Sequence, residues 1–272
     1  MSVRVTLSIA TAQLAPVSDT PRLDAELLMA HALNIPREKL LMWALESETP
    51  DSFAPLLARR LSHEPVAYIT GTRAFWSIEL IVTPDVLVPR PDSETSIAAA
   101  VAHFGSVGPR TILDLGVGSG ALLLAALTEW PLAHGLGVDR SPEALAVAHN
   151  NADALGLSDR ARFQLGDWGA GLSDRYDLIL CNPPYVETSA ELDRQVADYE
   201  PAAALFAGAD GLDDYRRLIP QLPDILTSKG IVALEIGHTQ RAAVSAHAEA
   251  VGFQVTCRQD LGGRDRCLIL AR

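Results

Sequence analysis

Short apolar segments alternate with amphipathic segments from Thr111 to the end of the chain. Seven of the segments have the length and composition of strands, at residues 111–115, 136–139, 162–165, 178–181, 231–236, 253–257 and 267–270. Four longer segments have helical spacing, at residues 120–130, 142–155, 212–226 and 239–251. Because strands that alternate with helices are joined by right-handed crossovers, the pattern predicts an α/β fold with a mainly parallel sheet.

The connection between the last two predicted strands restricts the fold further. Only nine residues separate Cys257 from Cys267, and Gly262 and Gly263 are among them. So short a connection has no room for a crossover helix, and the two strands should therefore pair antiparallel. Seven strands with an antiparallel final hairpin are the layout of class I methyltransferases, whereas a plain dinucleotide-binding sheet does not require that hairpin.

The residues before this alternation predict a separate small domain. Residues 1–74 have helical spacing and should form a bundle of three or four short amphipathic helices. Residues 75–90 should form a β-hairpin linker that turns at Thr83-Pro84-Asp85. Residues 91–272 should form the α/β domain, with a first helix that begins near Asp92 or Ser93, since acidic residues favour a helix N-terminus.

The chain is acidic, with a formal net charge of −12 over 272 residues. Proteins that hold nucleic acid by its phosphates usually present a basic face, so direct nucleic-acid binding is not expected. The three cysteines form no CxxC pair and the histidines lack metal-ligand spacing, which predicts reduced thiols and no metal site. No apolar segment has the length of a signal peptide or a bilayer span. We expect a monomeric, cytoplasmic protein without membrane contact.

A glycine-rich turn, Asp114-Leu-Gly116-Val117-Gly118-Ser119-Gly120, follows the first strand of the α/β region. Its glycines would let a ligand lie against the backbone at the N-terminus of the next helix, and its GxGxG spacing differs from that of a nicotinamide site. Asp139 ends the second strand, where an acid can hold the hydroxyls of a ribose. Trp168 follows the third strand, where its ring can stack on adenine. The alternatives are a purely structural turn, a helix-capping acid and a core-filling tryptophan.

The motif Asn182-Pro183-Pro184-Tyr185 directly follows the fourth predicted strand. Ligand sites of open α/β sheets lie at the carboxyl ends of strands, so this motif and the glycine turn should face the same crevice. The prolines fix φ and remove N–H donors, which leaves a rigid turn rich in acceptors. Such a turn can hold both N–H groups of a planar amide and aim its nitrogen at a methyl donor, while Tyr185 adds a flat apolar face.

With further segments, these motifs make the chain similar to the release-factor glutamine methyltransferases, the protein-(glutamine-N5) methyltransferase family known as HemK or PrmC. The matching segments are residues 71–76, 87–94, 114–120, 137–139, 182–185, 199–201 and 234–237, within a match that runs from about Pro21 to the C-terminus. The resemblance implies S-adenosylmethionine-dependent methylation of the glutamine in the Gly-Gly-Gln loop of class 1 peptide chain release factors. It also implies that residues 91–272 are the methyltransferase domain, and from the domain layout we expect residues 1–74 to recognise the substrate protein.

The resemblance also implies roles for individual residues. The cofactor-binding residues would be Gly116, Val117, Gly118, Ser119, Gly120, Asp139, Trp168 and Asn182. The substrate-binding residues would be Asn182, Pro183, Pro184 and Tyr185, of which Asn182, Pro183 and Tyr185 would be catalytic. Threonine is more usual in place of Val117, a change expected to matter little because the backbone does most of the binding there. Arg90 and Glu94 resemble interdomain or cofactor-lid residues.

Three other functions are compatible with parts of the pattern. An adenine-N6 methyltransferase would use the same turn, because the exocyclic amine of adenine has the same planar geometry with two donors. It would also need base flipping and a phosphate-binding surface, which the acidic charge and the near-neutral helical region disfavour. A non-catalytic binding module would not need the intact motifs, and a nicotinamide oxidoreductase is disfavoured by the glycine spacing and the final hairpin.

Overall fold

The structure, a computed structural model, describes residues 1–272 and divides them into two compact units. The N-terminal unit comprises Met1–Thr72 together with Leu192–Glu200, and the larger unit comprises Arg73–Glu191 and Pro201–Arg272. The first boundary lies close to the predicted end of the helical region. The assignment of Leu192–Glu200 to the N-terminal unit was not anticipated, because it depends on contacts between residues far apart in the sequence. No helix is both long enough and apolar enough to cross a membrane.

The N-terminal unit contains five helices before its second segment, so the expectation of three or four was wrong. They are α1 (Val3–Leu14), α2 (Pro21–Ala32), α3 (Arg37–Trp43), α4 (Phe53–Leu61) and α5 (Val66–Thr70), and the second segment adds the short helix α9 (Arg194–Ala197). No helix had been assigned to the segments that form α1 and α5, and in α1 polar residues interrupt the apolar sequence. Those residues share the outer face, while Val3, Leu7, Ala10 and Leu14 recur at helical spacing and are buried.

A buried ion pair joins two helices of the N-terminal unit, and its arginine also bonds to the second segment. The guanidinium of Arg60 in α4 donates to Oδ2 of Asp24 in α2 at 2.7 Å, and both side chains are buried. Arg60 also donates to the carbonyl of Val17 at 3.1 Å and to Oε1 of Gln195 at 3.3 Å. Tyr199 of the second segment donates its hydroxyl hydrogen to the carbonyl of Ser62 at 2.8 Å. Residues 192–200 are therefore held to this unit by directed polar contacts.

The larger unit is built on a seven-stranded sheet with strand order β5-β4-β3-β6-β7-β9-β8. Its strands are β3 (Thr111–Leu115), β4 (His134–Asp139), β5 (Ala161–Leu165), β6 (Tyr176–Cys181), β7 (Leu226–Glu235), β8 (Gln254–Gln259) and β9 (Asp265–Ala271). Strands β3 to β7 pair parallel, whereas β9 pairs antiparallel with both β7 and β8. The predicted α/β fold and its antiparallel final hairpin are confirmed.

Helices cover both faces of this sheet. They are α6 (Glu94–Phe104), α7 (Ala121–Glu129), α8 (Pro142–Ala154), α10 (Asp213–Leu218), α11 (Leu222–Ile225) and α12 (Arg241–Ala250). Because successive strand residues point to opposite faces, Ile112 packs in one core with α6 and α7, and Leu113 packs in the other with α10 and α12. The 3-10 turn Pro91–Ser93 precedes α6, which agrees with the expected start near Asp92.

The region predicted as one helix at residues 212–226 is broken. It forms α10, the 3-10 turn Ile219–Gln221 and α11, and β7 begins at Leu226. Pro220 and Pro223 explain the break, because proline has no N–H to donate within a helix and its ring clashes with the preceding turn.

The predicted hairpin is present, but its turn was placed wrongly. Strands β1 (Thr72–Phe75) and β2 (Ile78–Ile81) are joined at Trp76-Ser77, where Trp76 has a φ of 54°. Residues 83–85 form a later turn, in which the N–H of Val86 donates to the carbonyl of Thr83 at 3.2 Å. Phe75 and Ile78 are buried in the core of the larger unit, so the hairpin packs as part of that unit.

Replacement of Arg60 by alanine should destabilise the protein, because it leaves the buried Asp24 carboxylate without its cationic partner. We expect Arg60→Ala to lower the free energy of unfolding by ~3 kcal/mol in chemical denaturation. The matched control is Arg59→Ala, which removes the more exposed pair with Glu64 and should cost less than ~1 kcal/mol. Equal losses in the two variants would contradict the structural role of the buried pair.

Candidate active site

A cavity of about 230 Å³ lies at the carboxyl ends of the central strands, within the larger unit. This is near the lower end of the range for small-molecule sites, ~300 Å³ upward. Eight of the predicted site residues line it: Gly116, Val117, Gly118, Ser119, Asp139, Trp168, Asn182 and Pro184. Parallel strands β3, β4 and β6 all end here, so the topology brings the glycine turn, Asp139 and Asn182 to one place.

The glycine turn is closed onto the end of β4 by backbone hydrogen bonds. The N–H groups of Gly116 and Val117 both donate to the carbonyl of Val138, at 2.9 and 3.0 Å. Gly116 has a φ of 77°, and a Cβ built on it would lie 3.2 Å from the ring of Trp168. A side chain at this position would be strained and would enter the space that a ligand needs, so the turn forms a cradle that only glycine leaves open.

Asp139 ends β4, and the backbone holds its carboxylate in place. The N–H of Gly118 donates to Oδ2 at 2.9 Å, and the N–H of Ser141 donates to Oδ1 at 3.0 Å. Each carboxylate oxygen can accept a second hydrogen bond. Asp139 can therefore hold the turn and also accept from two hydroxyl groups of a ligand, as a ribose would require.

Trp168 lies beside Gly116 and has a φ of 53°, which is uncommon for a residue other than glycine. Burial raises the pKa of the nearby Asp214 carboxyl in α10, and the Trp168 indole is among the groups that lower it. One side of the Trp168 ring lines the cavity. The sequence left open whether Trp168 fills the core or contacts a ligand. In the structure this side chain packs against the core and also lines the cavity.

Asp114 is a buried acid at the end of β3, and it also lines the cavity. The N–H of Leu123 donates to its Oδ2 at 3.1 Å, and its Oδ1 has no hydrogen-bond partner. Burial raises the pKa of this carboxyl well above its ordinary value. An unpaired buried carboxyl oxygen is costly, and a cationic ligand group would supply the missing partner. The cradle at Gly116, Asp139 and Asp114 together fit a ligand with a ribose and an ammonium group, as S-adenosylmethionine has.

Asn182 follows β6 directly and lies opposite the glycine turn. Its Nδ2 donates to Oγ of Ser93 at 3.2 Å. Pro183 and Pro184 have no N–H. The polar groups that this turn can offer the cavity are therefore the side-chain amide of Asn182 and backbone carbonyls. Burial raises the pKa of the preceding Cys181 thiol well above its ordinary value, which keeps the thiol neutral and excludes it as a nucleophile.

Three predicted site residues lie outside the cavity lining. Gly120 has a φ of 86° and directly precedes α7, where a Cβ would meet Leu124 at 2.8 Å, and its predicted cofactor contact stays a prediction. Pro183 is buried in the turn. The hydroxyl of Tyr185 points to Glu235, to which it donates at 3.3 Å. The predicted substrate contacts of Pro183 and Tyr185 stay predictions.

Arg90 and Glu94, which the sequence grouped together, lie in different places. Arg90 lines the cavity, whereas Glu94 accepts from the backbone N–H of Trp76 at 2.8 Å and holds the β1–β2 turn. Lining residues without any earlier role include Phe75, Pro89, Ser93, Arg140, Ser141 and Pro201. Phe75, Arg90 and Pro201 do fall in segments that carry the family resemblance, and that was the available signal. Arg140 and Ser141 could have been found as neighbours of Asp139.

Comparison with family models gives two matches along the chain. Residues 6–71 match the model described as PrmC N-terminal domain, and residues 109–251 match the model described as methyltransferase domain. The second match spans the glycine turn, Asp139, Trp168 and Asn182, and thus all of the cavity lining except the residues between Phe75 and Ser93.

Curated relatives cover nearly the whole chain. Three of them are named release factor glutamine methyltransferase. The one from Rhodospirillum rubrum is 43% identical to this chain, over 93% of this chain and 80% of that protein. The one from Pseudomonas aeruginosa is 41% identical, over 92% of each chain. The one from Moorella thermoacetica is 39% identical, over 100% of this chain and 99% of that one.

Solved structures share the fold at low identity. A ribosomal protein L11 methylase from Lactobacillus delbrueckii subsp. bulgaricus superposes with a TM-score of 0.53 at 22% identity, over 70% of this chain and 83% of that one. The catalytic domain of hMettl16 superposes with a TM-score of 0.58 at 17% identity, over 79% of this chain and 81% of that one. At such identities these similarities support the class I methyltransferase fold alone.

Asp139→Asn should weaken S-adenosylmethionine binding, because one of the two backbone N–H groups would then face an amide NH₂ in place of an oxygen. We expect the Kd to rise by at least ~10-fold in calorimetry, the effect of losing a charge-assisted hydrogen bond. Asp159→Asn, on an exposed loop, is the control and should bind normally. Unchanged affinity in Asp139→Asn would refute the ribose assignment.

Proposed function

The chain belongs to the release factor glutamine methyltransferase family, whose methyl donor is S-adenosylmethionine, and we propose that it methylates the side-chain amide nitrogen of the glutamine in the Gly-Gly-Gln loop of class 1 peptide chain release factors. The observation that carries the proposal is the position of Asn182. Its amide lines the same cavity as the glycine turn and is fixed by Ser93 on one side.

An amide nitrogen is a poor nucleophile because its lone pair is delocalised, so orientation must supply much of the rate. With Nδ2 of Asn182 donating to Ser93, its Oδ1 is left to accept a hydrogen bond from the substrate NH₂. Backbone carbonyls of the proline turn can accept the second hydrogen. These acceptors bind more strongly as positive charge grows on the nitrogen, which favours the transition state over the ground state.

The cofactor supplies a methyl group on a positively charged sulfur. Asp139 would hold the ribose hydroxyls, and Asp114 would face the ammonium group with its unpartnered oxygen. Gly116 and the ring of Trp168 would bound the space between them. The residues around Asn182 then need only orient the amide and exclude water, and no general base has to act before the methyl group moves.

The adenine-N6 alternative is not supported by the curated relatives, which are named for release factors. The solved structure of hMettl16 in complex with an RNA hairpin resembles this chain in fold only. The net charge of −12 also disfavours a phosphate-binding surface. We further propose that the protein is monomeric, does not bind nucleic acid directly and acts in the cytoplasm, where its reduced cysteines would be stable.

Asn182→Ala should abolish most methyl transfer while the protein still folds, because it removes the amide acceptor from the cavity. We expect kcat to fall by ~100-fold or more, measured with labelled S-adenosylmethionine and a purified release factor. The exposed Asn150→Ala is the control. A Gln→Ala release-factor variant and duplex DNA are offered in parallel. Near-normal turnover by Asn182→Ala would overturn the mechanism, and label on the DNA would overturn the substrate.

We propose that the N-terminal unit contacts the release factor outside its glutamine loop. The support is an exposed apolar pair at the end of α3, where the side chain of Trp43 is 70% exposed and that of Met42 is 66% exposed. Neighbouring large apolar side chains exposed on a surface often mark a protein-binding site.

Trp43→Ser should therefore raise the KM for the whole release factor by ~10-fold, because aromatic residues carry much of the energy of protein interfaces. Transfer to a short peptide that contains Gly-Gly-Gln should be unaffected, and this peptide is the internal control. An unchanged KM for the whole release factor would remove the assignment of this surface.

A further inference from the structure

Gln240 directly precedes α12 and lies outside the cavity lining, yet its side chain reaches the last residue of the candidate catalytic turn. Its Nε2 donates to the backbone carbonyl of Tyr185 at 3.0 Å and to the carbonyl of Gly211 at 3.2 Å. Its Oε1 accepts from the backbone N–H of Gly237 at 3.0 Å and from the hydroxyl of Tyr215 at 3.4 Å. These hydrogen bonds use both donors and both acceptor positions of the amide.

The partners of Gln240 fix the orientation of its amide. A backbone carbonyl can only accept and a backbone N–H can only donate, so Nε2 must face Tyr185 and Gly211 while Oε1 faces Gly237. Rotation of the amide by half a turn would set N–H against N–H and oxygen against two carbonyls. Gln240 is therefore a rigid donor to two carbonyls that are far apart in the sequence.

The backbone at Gly211 packs closely against both the amide and the turn. Gly211 has a φ of 69°, and a Cβ built on it would collide with the carbonyl oxygen of Tyr185 and lie 2.7 Å from Nε2 of Gln240. Only a residue without a Cβ lets the three groups approach in this way. The carbonyl of Tyr185 is thus confined between the Gln240 amide and the Gly211 backbone.

The segment at the end of β7 binds Tyr185 at two points. The hydroxyl of Tyr185 donates to Oε1 of Glu235, the last residue of β7, at 3.3 Å, and its carbonyl accepts from Gln240. Strands β6 and β7 pair parallel with Cys181 opposite Leu234, so the two strands end at the same level of the sheet. The strand pairing therefore brings the residues after β7 alongside the turn after β6.

The turn is consequently held at both ends. Nδ2 of Asn182 donates to Ser93 at its start, and Gln240 holds the carbonyl of Tyr185 at its end. The two prolines between these ends have fixed φ angles, so they cannot absorb a displacement of one end by rotation about φ. A shift of the Tyr185 carbonyl would therefore move the acceptor groups that the turn presents to the cavity.

We propose that Gln240 is a positioning residue for methyl transfer, which holds the turn Asn182–Tyr185 so that its acceptor groups meet the substrate amide. This inference rests on the proposed function, since it gives Gln240 a part in the orientation of that amide. Gln240 itself touches neither substrate nor cofactor in this arrangement. Its effect passes through the carbonyl of Tyr185.

The size of the effect follows from the demands of orientation. A misplacement of about 1 Å can cost about 100-fold in rate, so a fraction of that shift should be visible in kcat. KM should respond less, because a whole protein substrate binds through a surface much larger than one turn. The cofactor Kd should also change little, because the bonds of Gln240 lead to the amide-binding turn rather than to Asp139 or the glycine turn.

The test measures kcat and KM for the wild-type protein, Gln240→Glu and Gln240→Met, with labelled S-adenosylmethionine and a release factor. An ionised glutamate keeps the shape and the Oε1 acceptor but has no N–H, and methionine keeps the length without a hydrogen-bond donor. Gln221→Glu and Gln221→Met are the matched controls, because Gln221 is a half-buried glutamine whose Nε2 also donates to a carbonyl, that of Arg217, at 2.7 Å. Calorimetry gives the cofactor Kd, and circular dichroism gives the folded fraction at the assay temperature.

We expect both Gln240 variants to lose kcat per folded protein by ~10-fold or more, with KM and the cofactor Kd within ~3-fold of wild type. Both Gln221 variants should keep kcat within ~3-fold. If Gln240→Glu does not fold, Gln240→Met decides by the same criteria.

Three results would contradict the inference. A lower folded fraction with an unchanged kcat per folded protein would show a role in folding alone. A loss of cofactor affinity as large as the loss of kcat would place the effect at the cofactor, and a loss of kcat no larger than that of the Gln221 variants would remove the role of Gln240. Absence of transfer by the wild-type protein would instead overturn the proposed function, and this inference with it.

Discussion

The parallel pairing of β3 with β6 is the constraint on which the candidate site depends. The register places Leu115 opposite Cys181, so the next residues along each strand, Gly116 and Asn182, leave the sheet at the same level. A slip of one residue in this pairing would turn every side chain of the strand to the other face of the sheet. The buried side chains on both faces fix the register, and the hydrophobic core therefore positions the glycine turn and the turn at Asn182.

Acidic residues end β4 and β7 and lie one residue before the end of β3, and their surroundings distinguish them. Asp139 lines the cavity, and two backbone N–H groups hold its carboxylate. Asp114 is buried behind the glycine turn with one oxygen unpaired, and Glu235 is buried further along the sheet beside Ser93 and Tyr185. A carboxyl group near the end of a strand is thus bound by backbone N–H groups, left with an unpaired oxygen or bound by another side chain, depending on its surroundings.

Local patterns in the sequence predicted most of the sheet and part of the site. Residues 111–115 were predicted with their observed bounds, because a buried central strand is a continuous apolar segment between clear breaks. Helix α1 was missed because its apolar residues are interspersed with polar ones, and residues 192–200 carry no local signal of the unit to which they belong. The hydrogen bond between Asn182 and Ser93 could not be predicted, because it joins elements far apart in the chain.

The assignment of Leu192–Glu200 to the N-terminal unit has a consequence for how such a protein can be recombined. The chain passes between the two units three times, after Thr72, after Glu191 and after Glu200. A gene fusion with a single junction near residue 72 would import a foreign bundle and leave Gln195 and Tyr199 facing surfaces that they did not evolve with. A chimera that keeps these contacts would have to carry the nine-residue segment together with the helices that hold it.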